Sequence, residues 1–279
     1  MAKVLFDKHI SKSTRIKFTC SYDGTDFCGW QRQNIEREHN RTEKPSLCRT
    51  LETALEKTFK HKIELSASGR TDAGVHAINQ VCHFDTNRSV EQMQGWDLSR
   101  ALRNKLPPSI VIKKAWIAPA NFHSTLSAEK KTYRYLILNA EQPSPFFNRT
   151  MGWMRKPMDL DYFNECSQHL IGEHDFKSFQ SVGTPVHHTV RTIYKADWVW
   201  KNPKVAQFTI TGSGFLKQMV RNIVGTQLLM ARKNFKPEYM DQVIKSLDRQ
   251  AAGAPAEPQG LYLMKVYYPL DLDNGCREL

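Results

Sequence analysis

Two hydrophobic rhythms alternate along the chain, and their order predicts the fold. Between Arg15 and Tyr22, Ile16, Phe18, Cys20 and Tyr22 fall at every second position, the period of a strand with one buried face. Leu47, Leu51, Leu55 and Phe59 then recur every fourth residue, predicting an amphipathic helix over Ser46–Lys60 with Ser46 as its cap. Ile63–Ala67 and Gln80–Asp85 alternate again as strands. Leu98, Ala101, Leu102 and Leu106 make a second helix, stopped by Pro107 and Pro108, and Ile110–Ile117 is a fourth strand. The order is β-α-β-β-α-β, the ferredoxin-like or RRM-like pattern.

The second half repeats it. Thr132–Asn139 alternates as a strand after the irregular stretch Pro119–Lys131, and Gln142–Arg155 is irregular again. Leu160, Phe163, Ser167, Leu170 and Ile171 keep a helical period, with Asp159 as cap and Gly172 past the end. Val190–Trp200 and Val205–Thr211 are strands. Phe215–Arg232 is a helix with Met219, Val220, Ile223, Gln227 and Met230 inward, and a further helix opens at Pro237. After the linker Ala251–Pro258, Gly260–Tyr268 is the last strand. The expected architecture is α+β: two such units with mainly antiparallel sheets, joined side by side around a central cleft, one sheet face free for RNA. The expected divisions are a flexible arm over residues 1–14, an N-terminal domain over 15–118 and a C-terminal domain over 119–279.

Composition sharpens this. With 279 residues, two domains are expected. Lys plus Arg exceeds Asp plus Glu, 40 to 28, for a net charge of +12, which points to a polyanionic partner, nucleic acid before anionic membrane. The six cysteines form no Cys-x-x-Cys pair and, with the ten histidines, no zinc spacing, so free thiols in a reducing compartment and no metal are expected. No secretory signal or membrane-spanning run is recognised, which places the chain in the cytoplasm.

The densest chemistry lies in Ser68–Ala77, which reads Ser-Gly-Arg-Thr-Asp-Ala-Gly-Val-His-Ala. Gly69 and Gly74 bracket Arg70, Thr71 and Asp72, so the carboxylate sits on a tight turn. If Arg70 converges with Asp72, its guanidinium favours the ionised carboxylate. That suits an anionic nucleophile or electrostatic stabiliser better than a general acid. An ordinary loop closed by a surface ion pair is the plainer alternative. Phe27–Gln33 could stack on RNA or tuck Trp30 into the core. Thr211–Gly225 runs from a strand through Gly212 and Gly214 into a helix, but Lys217 stands where a dinucleotide fingerprint needs its third glycine. Lys217 and Arg221, four residues apart, would share a helix face.

The ten-residue string resembles the signature of tRNA pseudouridine synthases of the TruA type. Ala128–Tyr135 and Phe215–Asn222 are similar to that family's second and third motifs, and the likeness extends from Tyr22-Asp23-Gly24 to Gly260-Leu261-Tyr262-Leu263. Two departures are a longer loop at Ile35–Pro45 and Cys48 in place of a customary glutamine, both expected near the RNA-facing side. The resemblance implies isomerisation of uridine to pseudouridine in the tRNA anticodon stem-loop, at tRNA positions 38, 39 and 40. It implies no cofactor, tRNA as partner and a homodimer. Asp72 would be the catalytic residue, Arg70 and Arg221 would orient it, and Tyr133 would stack on the uracil. Arg70 would also touch RNA, with Thr71, His76 and Lys217 completing the substrate-binding set. The competing readings are a non-catalytic RNA-binding protein on the same scaffold and a nucleotide-cofactor enzyme using Gly212–Gly214.

Overall fold

The computed structural model describes residues 13–31, 44–183 and 188–279. The first half contains β1 (Thr14–Tyr22), α1 (Leu47–Phe59), β2 (Ser66–Ala67), β3 (His76–Thr86), α2 (Val90–Met93), α3 (Leu98–Leu102) and β4 (Ile110–Ile117). The second contains β5 (Lys130–Asn139), β6 (Gly152–Met154), α4 (Leu160–Gln168), β7 (Gly172–Asp175), β8 (Val190–Asn202), β9 (Val205–Gly212), α5 (Met219–Lys233), α6 (Tyr239–Ser246), β10 (Leu261–Tyr267), α7 (Leu270–Asn274) and β11 (Arg277–Glu278). Both helices expected to open with a capped turn do so: the Ser46 hydroxyl accepts from the Arg49 amide, and the Asp159 carboxylate accepts from the amides of Asp161 and Tyr162. The leucine stripe of α1 is buried as its spacing requires, with Leu47, Leu51 and Leu55 wholly covered.

All the strands belong to one sheet in the order β11-β4-β1-β3-β10-β5-β9-β8-β7, with β2 on β3 and β6 on β5. Each half has the ferredoxin-like spatial order, β4-β1-β3-β2 in the first and β10-β5-β9-β8 in the second. They join where β10 runs parallel to β3, pairing Tyr262 with His76 and Leu263 with Ala77; the other ladders are antiparallel apart from β6 on β5. The last long strand of the chain therefore stands in the middle of the sheet.

This seam explains why β2 is shorter than its alternation suggests. Both β2 and β10 pair on one edge of β3: β2 at Cys82 and His83, β10 at His76 and Ala77. Only Ser66 and Ala67 join the ladder, although Ile63 and Leu65 are still buried. The chain then leaves the sheet, and the displaced segment is the loop 68–75.

Three sequence expectations are corrected here. Gln142–Arg155 is not wholly irregular, since Gly152–Met154 pairs with β5. Helix α5 starts at Met219, not Phe215, because Gln218 takes a left-handed conformation at φ +59°. Cys48 faces inward: it is buried on α1, its thiol against the Leu65 carbonyl. Most of the expected arm and of the Ile35–Pro45 loop lies outside the described residues. None of the described helices is long and apolar enough to cross a membrane.

Candidate active site

The loop 68–75 is held from three sides. From β3, the Gln80 amide donates to the Gly69 carbonyl at 2.8 Å and accepts from the Ser68 hydroxyl at 2.6 Å. From β1, the Tyr22 hydroxyl meets the Thr71 hydroxyl at 2.9 Å. The segment after β1 adds a bond from the Trp30 amide to the Thr71 carbonyl at 2.9 Å. Gly29 makes that approach possible: its φ is +103°, and a Cβ there would stand 2.8 Å from the Thr71 carbonyl oxygen. Gly24 likewise lies so close to the Val75 carbonyl that a Cβ would overlap it. Trp30 is buried beside Tyr22, so it braces the loop from the core.

Asp72 emerges from this frame half-buried. Its Oδ2 lies 3.2 Å from Nη1 of Arg221, whose side chain is only 11% exposed. Arg221 is itself fixed: Nε donates to the Ala256 carbonyl at 2.7 Å, and the Ala256 amide returns a bond to the Arg221 carbonyl at 2.9 Å. Helix α5 can approach this segment because residue 225 is glycine; a Cβ there would overlap the Ala254 carbonyl. The two members of the ion pair come from opposite halves of the chain, Asp72 from the loop between β2 and β3 and Arg221 from α5.

Tyr133, on β5, is 8% exposed and packs edge-to-face on Phe215 at 5.1 Å between ring centroids. Its hydroxyl lies 3.9 Å from the point where a Gly69 Cβ would be, which places the phenol against the loop. Burial, and then the Asp72 charge, push its ionisation far above the usual phenol range, so the ring carries its proton. Two residues earlier on the strand, and so on the same face, Lys131 donates to the Ser68 carbonyl at 2.5 Å.

The remaining expected site residues do not all gather here. Arg70 is exposed and forms no ion pair with Asp72; Arg221 takes that place. The Thr71 hydroxyl is turned inward to Tyr22. His76 is buried, accepts at Nδ1 from the Gly24 amide and shares Nε2 with the Arg149 carbonyl, and stacks on Tyr262 at 4.8 Å. Burial lowers its affinity for a proton, opposed by the Asp23 carboxylate, whose Oδ1 stands 3.2 Å from Nδ1. His76 therefore ties β3 to the segment 149–150 across the seam. Lys217 precedes α5 and donates to the Val182 carbonyl at 2.9 Å, so it shares no helix face with Arg221. Gly212 and Gly214 do not open onto a helix N-terminus either; Gly212 makes room for Ile193, whose Cδ1 would stand 2.7 Å from a Cβ there.

The sequence offers Lys130 and Lys131 as solvated charge or as RNA phosphate contacts, but sequence reasoning missed the tie between Lys131 and the loop, and it missed Ala256. The signal for Lys131 was present, because it precedes Tyr133 by two residues in a strand and so points to the same face. Ala256 sits in a segment of small residues that reads as a linker and acts only through backbone atoms.

Fold and site together define an α+β enzyme whose carboxylate centre is assembled between two half-sheets. The family described as tRNA pseudouridine synthase matches residues 19–125 and 166–269. The "tRNA pseudouridine synthase A" of Bdellovibrio bacteriovorus is 60% identical over 267 residues, covering 96% of this chain and all of that protein. Those of a Geobacillus species and of Bacillus subtilis are 42% and 41% identical, over 92% and 91% of this chain and 99% of each relative. The chain belongs to the tRNA pseudouridine synthase family.

Proposed function

We propose that this chain isomerises uridine to pseudouridine in tRNA, acting on the anticodon stem-loop at positions 38, 39 and 40. In that reaction the N1–C1′ bond of the target uridine breaks, the uracil turns, and C5 bonds to C1′. The C5 proton leaves and N1 gains one, so atoms balance with no oxidant or phosphoryl donor. The observation that carries the reading is the pairing of Asp72 with Arg221 across the seam. It supplies an oriented anion in a half-buried setting, where a flipped nucleoside can reach it. Tyr133 offers a flat, neutral ring beside that anion for the uracil to stack on. Arg70, exposed at the loop edge, is free to take the space of the extruded base or a phosphate.

The same reading takes residues 15–118 and 119–279 as two units, each giving one member of the ion pair. It takes the working form as a cytoplasmic homodimer. A non-catalytic RNA-binding role is set aside, because the relative that this chain matches from end to end is named a synthase.

The test is direct. Purified protein and unmodified tRNA transcripts should yield pseudouridine at the named positions by chemical mapping. Asp72→Asn should bind the same tRNA and yield none. Pseudouridine formation by Asp72→Asn, or its absence with the native chain, overturns the assignment.

A further inference from the structure

Two positive side chains near the site have no acidic partner among the described residues. Lys131, half-buried on β5, bonds only the Ser68 carbonyl and forms no ion pair with a described residue. Arg191, on β8, turns Nη1 back onto His188 and the carbonyls of His188 and Val190, again with no carboxylate among the described residues. The ladders put them on one face. Lys131 stands opposite Gly212, Gly212 stands opposite Ile193, and Arg191 precedes Ile193 by two. Between them residue 212 has no side chain, and Gly214 lies against the guanidinium, where a Cβ would sit 3.4 Å from Arg191 Nε. Tyr133, two residues along the same face, keeps its phenol proton, and Asp72 is engaged by Arg221. Lys131 feels its neighbour: burial and the Arg191 charge lower its ammonium to about 8, and burial lowers Arg191 as well. Two uncompensated cations beside one carboxylate centre are stable when an anion completes them.

We infer that Lys131 and Arg191 form a phosphate site, holding a backbone phosphate of the RNA strand that carries the target uridine. This deepens the proposed reaction and rests on it. Lys131 then has two tasks: its hydrogen bond positions Ser68 at the base of the loop, and its charge meets the phosphate. The helix-borne Arg221 keeps to Asp72, so anion binding and carboxylate orientation fall to different cations.

The test is tRNA affinity across a salt series for the native chain, Lys131→Met, Lys131→Arg and Arg191→Gln. Loss of one phosphate contact should weaken binding about tenfold at low salt and reduce the slope of log affinity against log salt by about one. Lys131→Arg should restore the slope. Raising pH from about 7 to about 8.5 should weaken the native complex, because a neutral amine must first take up a proton, while Lys131→Arg stays flat. Unchanged slopes in both Lys131→Met and Arg191→Gln, with each variant folded by circular dichroism, overturn the site. Asp72→Asn separates the two claims: it should lose pseudouridine formation and keep the native slope. A native chain that forms pseudouridine while both variants keep the native slope removes the phosphate site alone.

Discussion

Asp72 Oδ2 and Arg221 Nη1 stand 3.2 Å apart although 149 residues separate them in the chain. The same guanidinium holds the Ala256 carbonyl with Nε, so its direction is set before substrate arrives. Lysine keeps the charge but has no planar fork to make both contacts. Arg221→Lys should therefore lower the rate at saturating tRNA by about 100-fold. A single-turnover assay measures this; a rate within a few-fold of native would mean that charge alone suffices.

Arg70 invites the opposite experiment. It is exposed and unpaired with Asp72, so Arg70→Ala should change folding stability by less than about 0.5 kcal/mol. Its activity should nevertheless fall by about tenfold or more if, as proposed, the exposed side chain meets the RNA. Urea unfolding and pseudouridine assays on one preparation separate the two effects. Loss of stability in step with activity would give Arg70 a structural task instead.

Gly29 tests how tightly the loop is framed. Alanine there must adopt φ near +103° and bring a methyl group to 2.8 Å from the Thr71 carbonyl. Gly29→Ala should cost about 1–3 kcal/mol in chemical denaturation and displace Asp72 enough to lower the rate. A native rate with native stability would show that the segment relaxes freely.

A histidine outside the site should make stability fall with acid. His83 is buried against Ser124, with Nδ1 2.9 Å from that hydroxyl. Burial and the nearby Arg15 charge lower its protonation from 6.5 to about 4. The unfolded chain then takes up the proton first as pH falls, so the folded state loses stability from about pH 6.5 downward, by at most about 3 kcal/mol near pH 4. His83→Asn cannot titrate and should flatten part of that slope in urea unfolding at neutral and mildly acid pH. An unchanged slope would assign the acid sensitivity to other groups.

Much of the architecture was readable because side-chain periods report burial directly. Leu47 through Phe59 could be read as a helix face, and Ile16 through Tyr22 as a strand face, without knowing their neighbours. What escaped depended on partners distant in sequence. Nothing within Ile63–Ala67 reveals that β10 will occupy the adjoining edge of β3. Nothing before Met219 announces that Gln218 will turn left-handed, delay the helix and separate Lys217 from Arg221. Within the site, Asp72 stood out because glycines and a charged pair crowd one loop. The cation engaging it could not be chosen from local spacing: Arg70 is two residues away and turns outward, whereas Arg221 arrives from another element.

The central place of β10 has a consequence for synthesis. In the order of synthesis the segment 261–267 comes after β1 to β9, yet among the described residues its pairing with β3 is the only ladder joining the two half-sheets. A nascent chain can build β1, β3 and β4 while His76 and Ala77 still lack their strand partner. The pairing of the two halves therefore waits for β10, and a chain cut short before Leu261 lacks the strand that holds them in register.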